Sequence, residues 1–140
     1  MPATSGREGC VMSPVANHAW RSYRSAPPSG TRVLKACEIN AGESRCVSVE
    51  SENGRFPLLM VRSSEGKLYS YVNACPHQYL PLDSRGDKVL SQDASLLICT
   101  AHQATFQVHS GECISGPSTG EALDPVPVVE DDEGWLLIGE

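Results

Sequence analysis

Two short fragments constrain this chain more than anything else in it. They are Cys75-Pro76-His77 and Cys99-Thr100-Ala101-His102, with residues 78–98, 21 in all, between them. Each fragment follows an apolar run, Tyr71-Val72 in one case and Leu97-Ile98 in the other. Two strands that each end in a Cys–His loop can close those loops on one centre from opposite sides, a four-ligand metal site by type. Zinc fingers usually group Cys with Cys and His with His. Here each loop supplies one of each, which suits a binuclear centre reached by both loops.

The rest of the chain reads as short strands between turn signals. Strands are expected at Val33–Ile39, Arg45–Val49, Pro57–Arg62, Leu68–Val72, Leu96–Cys99, Thr105–Val108, Glu112–Ile114, Val126–Val129 and Trp135–Ile138. Asn40-Ala41-Gly42-Glu43, Ser51-Glu52-Asn53-Gly54, Ser63-Ser64-Glu65-Gly66 and Asp131-Asp132-Glu133-Gly134 punctuate them. No window after residue 30 holds a helical apolar stripe for three turns. The fold class is therefore all-β, built of small sheets or a barrel. At 140 residues the chain is one domain's worth.

Residues 1–30 contain 12 Gly, Pro and Ser residues and end in Ala26-Pro27-Pro28-Ser29-Gly30. Proline removes donors and glycine raises the cost of ordering, so a flexible N-terminal arm is expected over 1–30, before a folded domain over 31–140. Trp20 with Tyr23 offers one way for the arm to pack, as a short helical turn. Charge is uneven as well: 8 basic and 16 acidic residues follow position 30, and eight acids without a Lys or Arg lie in 111–140. A general nucleic-acid binder needs a positive surface, so that class is excluded. No apolar run approaches membrane-spanning length, and no signal-peptide h-region opens the chain, so a cytoplasmic protein is expected. In that compartment six cysteines read as thiols or ligands rather than a disulfide framework.

Cys75-Pro-His77, Cys99-Thr-Ala-His102, Phe106, Gly111 and Gly116-Pro117 together resemble the pattern of Rieske [2Fe–2S] proteins. The resemblance covers roughly Ala36 to Glu140. It implies three small antiparallel sheets and a cluster-binding subdomain over about 74–120. It also implies one [2Fe–2S] cluster, with Cys75 and Cys99 on the inner iron and His77 and His102 on the outer one. Gly116-Pro117-Ser118 matches the loop that covers the cluster. Two features depart from the commonest form. Gln103 stands where a glycine often follows the second histidine, and Asp87–Ser95 reads as an added hairpin.

High-potential members carry a disulfide at the positions of Leu80 and Ala101, and hydroxyl donors at those of Ala104 and Phe106. Their absence here removes hydrogen bonds that stabilise the added electron. The midpoint is expected near about −150 mV rather than about +300 mV. The resemblance implies a soluble ferredoxin, not itself an enzyme. It would take electrons from a flavin-dependent reductase and pass them to a terminal oxygenase, and is expected to be a monomer. The rival reading is a Rieske-fold small or regulatory subunit of a larger oxidoreductase such as nitrite reductase. An oxygenase would need a further 2-His-1-carboxylate site, and only His18 and His109 remain. A structural zinc module is the last alternative. Elsewhere, His109 reads as a polar turn residue, Cys37 and Cys46 as small strand hydrophobes, Cys113 as packing beneath the proline loop, and Trp135 as core.

Overall fold

The computed structural model describes residues 19–76, 80–86, 88–101, 103–116 and 119–139. Nine strands lie among these residues: β1 (Arg32–Lys35), β2 (Ser44–Ser51), β3 (Gly54–Arg62), β4 (Leu68–Val72), β5 (Leu96–Ile98), β6 (Thr105–Gln107), β7 (Cys113–Ser115), β8 (Val128–Glu130) and β9 (Trp135–Ile138). They form three antiparallel sheets in the orders β1-β9-β8, β2-β3-β4 and β5-β6-β7. The all-β expectation holds, and each expected strand appears with its ends moved by a few residues. No helix among the described residues is long and apolar enough to cross a membrane.

The middle sheet is covered on both faces. Phe56, Leu58 and Met60 of β3 belong to one core with Leu34, Val128, Leu136 and Ile138 of the β1-β9-β8 sheet. The alternate residues Leu59 and Val61 belong to a second core with Leu97 and Phe106 of the third sheet. A strand buried on both faces loses the polar alternation of a half-exposed one, which is why Leu58-Leu59-Met60-Val61 is an unbroken apolar run. Pro57 is tolerated in this central strand for a local reason. Pairing to β4 starts only at Leu58, opposite Val72, so the missing N–H leaves no gap in that ladder.

Three expectations change. The strand expected over Val33–Ile39 stops at Lys35, and Ala36–Glu38 turn as a short 3₁₀ segment. The Glu38 carboxylate accepts the Lys35 N–H at 3.3 Å, closing that turn. Cys37 lies in the turn rather than in a strand, and both Cys37 and Cys46 are exposed. Trp135 is half-buried instead of core. Leu136 and Ile138 take the inward positions of β9, and the period of two sends Trp135 to the other face, where Arg32 and Lys35 cover its ring at 4.8 and 5.4 Å.

The N-terminal arm divides. Residues 1–18 lie outside the described residues. From Ala19 onward the chain packs on the β2–β3 hairpin. Trp20, only 1% exposed, meets Phe56 edge-on with ring centroids 6.1 Å apart. Tyr23 meets the same ring at 5.8 Å, and the Ser51 hydroxyl donates to the Ser25 carbonyl at 2.9 Å. The expectation that Trp20 and Tyr23 can pack as a short turn is met by a 3₁₀ segment over Ala19–Ser22.

Candidate metal centre

The third sheet and the loops around it form one unit. β4 runs into the loop carrying Cys75, and β5 runs into the loop carrying Cys99. Both loops close in the same way. The Cys75 N–H donates to the Leu80 carbonyl at 2.8 Å, and the Cys99 N–H donates to the Ala104 carbonyl at 2.8 Å. Each cysteine thus sits at the base of a six-residue loop whose ends are pinned together. Sequence periodicity cannot show this likeness, because the bonds run between backbone groups.

Cys75 is 1% exposed and Cys99 is 0% exposed. Both thiols belong to the core that holds Leu82, Ala104, Phe106 and Val108. Two soft sulfur donors brought into one apolar core from two pinned loops suit an iron–sulfur cluster by ligand chemistry. His77 and His102, the other two expected ligands, lie outside the described residues, as do Pro117 and Ser118 of the covering loop. Among the described residues Cys37, Cys46, Cys75, Cys99 and Cys113 form no disulfide.

Gln103 shows why the departure from glycine matters. Its φ is +62°, the left-handed region that favours glycine, and its N–H donates to the Cys99 carbonyl at 2.7 Å. The loop keeps a glycine-like backbone and carries a side chain there at a cost in strain. Gly116 has the opposite reason for its identity. At φ +99° a Cβ would lie 2.7 Å from the Ala104 Cα, so only glycine at 116 lets the chain approach Ala104 this closely. Cys113 is buried, and its thiol donates to the Ser115 carbonyl at 3.2 Å; the loop it was expected to pack beneath, at Pro117 and Ser118, lies outside the described residues.

The two cysteine loops are tied to each other and to the middle sheet. Asn73, at the end of β4, accepts the Leu82 N–H at 2.8 Å, and its amide donates to the Asp83 carboxylate at 3.2 Å. Thr100 donates to the Leu82 carbonyl through its N–H at 2.8 Å and its hydroxyl at 2.6 Å. The same hydroxyl accepts the Arg85 N–H at 2.9 Å. Sequence reading passed over Asn73 and Thr100. Its one available signal was an amide following the apolar Tyr71-Val72, where a turn-forming side chain can bond nearby backbone. Cys46 of β2 adds to this corner. Burial of its sulfur, then the adjacent Asp83 carboxylate, pushes the thiol up to about 12, although the residue as a whole is exposed.

The positions that would carry a disulfide or hydroxyl donors are apolar in place as well as in sequence. Leu80 is exposed, while Ala104 and Phe106 are fully buried. The expected added hairpin takes form as backbone bonds of Ile98 to Val89 and Ser91 to Leu96, with Asp87 outside the described residues. Asp93 closes its turn, and hydrogen bonds from Ser95 and Ser91 hold that exposed carboxyl below its ordinary range. His109 is exposed in the turn after β6, as a polar turn residue should be.

A family model for the Rieske [2Fe–2S] domain matches residues 30–130. A search of curated proteins finds no match. Among solved structures, the Sphingomonas yanoikuyae B1 ferredoxin superposes with a TM-score of 0.60 at 22% identity, covering 79% of this chain and 98% of that one. The ferredoxin of carbazole 1,9a-dioxygenase from Nocardioides aromaticivorans IC177 gives 0.60 at 19% identity, covering 80% and 98%. The terminal oxygenase of carbazole 1,9a-dioxygenase from Novosphingobium sp. KA1 gives 0.61 at 22%, covering 79% of this chain but 31% of that one. These likenesses extend the shared fold across ferredoxins and the corresponding part of an oxygenase.

Proposed function

Because the chain belongs to the Rieske [2Fe–2S] domain family, whose domain binds a [2Fe–2S] cluster, we propose that it is a one-electron carrier of the ferredoxin type. It would pass electrons from a flavin-dependent reductase to a terminal oxygenase. The observation that carries the reading is the pair of buried thiols, Cys75 and Cys99, set in two like loops of one core. The cluster, when bound, supplies a reversible one-electron couple. The chain's own residues do the rest. Cys75 and Cys99 would hold one iron through their thiolates, and His77 and His102, by their place in the motif, would hold the other through their imidazoles. Phe106, Ala104, Leu82 and Val108 keep water from the sulfur side. A carrier needs no substrate pocket, and its potential is set by burial and by donors to sulfur. Two solved ferredoxins with this fold, one of them named as part of carbazole 1,9a-dioxygenase, support an oxygenase as the electron acceptor.

The test is direct. Purified protein should hold two irons and two sulfides, be red-brown, and give an EPR signal only when reduced. Cys75→Ser and Cys99→Ser should each abolish it. Stoichiometric zinc with no visible absorption would overturn the reading and leave the structural zinc module in its place.

A further inference from the structure

We propose that Thr100 and Asn73 are positioning residues that fix the spacing of the two cysteine loops, through a brace built on the Leu82 peptide. The inference rests on the cluster reading above. The Leu82 residue is held from both sides. Its N–H is donated to Asn73, and its carbonyl accepts both the N–H and the hydroxyl of Thr100. Two donors saturate the two lone pairs of that carbonyl. The Thr100 hydroxyl is itself held at two points, giving its one proton to Leu82 and taking one bond from Arg85. A β-branched side chain has few rotamers, so a hydroxyl fixed at both ends fixes the backbone that bears it.

That backbone is next to Cys99. The bonds therefore run without a break from the end of β4 through Asn73 and Leu82 to Thr100 and the second cysteine. They also hold the chain that leaves the first cysteine loop. Asn73 is 5% exposed and Leu82 is fully buried, so water cannot replace these bonds cheaply. Thr100 lies between Cys99 and His102 in sequence yet is not required as a ligand, which leaves its hydroxyl free for this role.

The test compares wild-type holoprotein with Thr100→Val, which keeps the shape and loses the hydroxyl, and Thr100→Ser, which keeps the hydroxyl. Ser91→Ala, in the distant surface turn, is the control. Iron release to a chelator should be about tenfold faster in Thr100→Val, the factor that corresponds to about 1.4 kcal/mol. At full iron loading its reduced EPR g-values should also shift, a readout that a loss of general stability would not move. Thr100→Ser should stay within about twofold of wild type with wild-type g-values, and Ser91→Ala should match wild type. A Thr100→Val protein that folds but loads no iron, while Thr100→Ser loads fully, supports the same conclusion. Wild-type release and g-values in Thr100→Val, or failure of Thr100→Ser to restore them, would overturn it. Wild-type protein without iron would instead overturn the electron-carrier reading. The brace then stands or falls on hydrogen exchange in a peptide spanning Thr100, whose amide should be protected; exchange at the rate of a free amide would refute it.

Discussion

Trp20→Ala should destabilise the protein by about 3–5 kcal/mol, the usual cost of emptying a fully buried large aromatic site. The indole is 1% exposed and shares the first core with Phe56, Leu34 and Leu136. Its edge-on contact with Phe56, 6.1 Å between centroids, contributes about 0.5–1.5 kcal/mol of that total. One term works the other way. Among the described residues the buried indole N–H meets no hydrogen-bond acceptor, and a donor left so costs the native state about 1–3 kcal/mol. Trp20→Phe removes the orphan donor and keeps most of the ring, so it should cost far less than Trp20→Ala. For a domain of this size 1 kcal/mol moves the thermal midpoint by about 3–5 °C, so Trp20→Ala should melt at least about 10 °C lower. Far-UV circular dichroism of the iron-loaded protein measures this. Cys75 and Cys99 pack in the other core, so visible absorption below the melt should be unchanged. A Trp20→Ala midpoint within 2 °C of wild type would refute the claim that residues after Ala19 belong to the folded domain. It would restore a free arm over the whole of 1–30.

Further outcomes are expected. Gln103→Gly should stabilise the protein by up to about 1 kcal/mol, because the left-handed backbone costs a side chain about 1–2 kcal/mol and glycine returns part of that as chain entropy; a lower melting temperature would refute it. Cys46, held up to about 12, should react with iodoacetamide at pH 8 about a hundredfold or more slowly than a free thiol, and Asp83→Asn should speed it. The sign follows from the protonated form being favoured in the fold. The stability that Cys46 contributes is complete below the ordinary value of 9.0 and fades as pH rises from there towards about 12. Ala104→Ser with Phe106→Tyr should raise the midpoint potential by tens of millivolts, since each tenfold preference for the reduced form is about 59 mV. An unchanged potential in protein film voltammetry would place the control in backbone donors or burial.

The family and the cluster its domain binds were legible from residue type and spacing. Cys75 and Cys99 could be read from two loops that follow apolar runs, and both prove buried at the ends of neighbouring elements. Strand positions were legible because turns rich in Gly, Asn, Asp and Ser interrupt most of the apolar runs. The degree of burial was less legible, for one physical reason. Trp20 and Trp135 are the same residue type in weakly patterned contexts, and only the three-dimensional packing decides that the first is core and the second is covered by cations. Cys37 and Cys46 look like small hydrophobes in sequence and turn out exposed, since a turn and an outer strand position fix their burial.

By itself, then, the sequence determined local things: the motif that marks the family, the turns, and a strand period that admits no long helix. These follow from side-chain chemistry and from φ preferences within a few residues. The tertiary structure decided what depends on residues far apart in the chain. It put the middle sheet between two cores, drew Trp20, Tyr23 and Ser25 onto the β2–β3 hairpin, and joined Asn73, Leu82 and Thr100 into one set of bonds. A hydrogen bond between loops 18 residues apart leaves no mark in composition or period. It exists only once both loops have been brought to the same place.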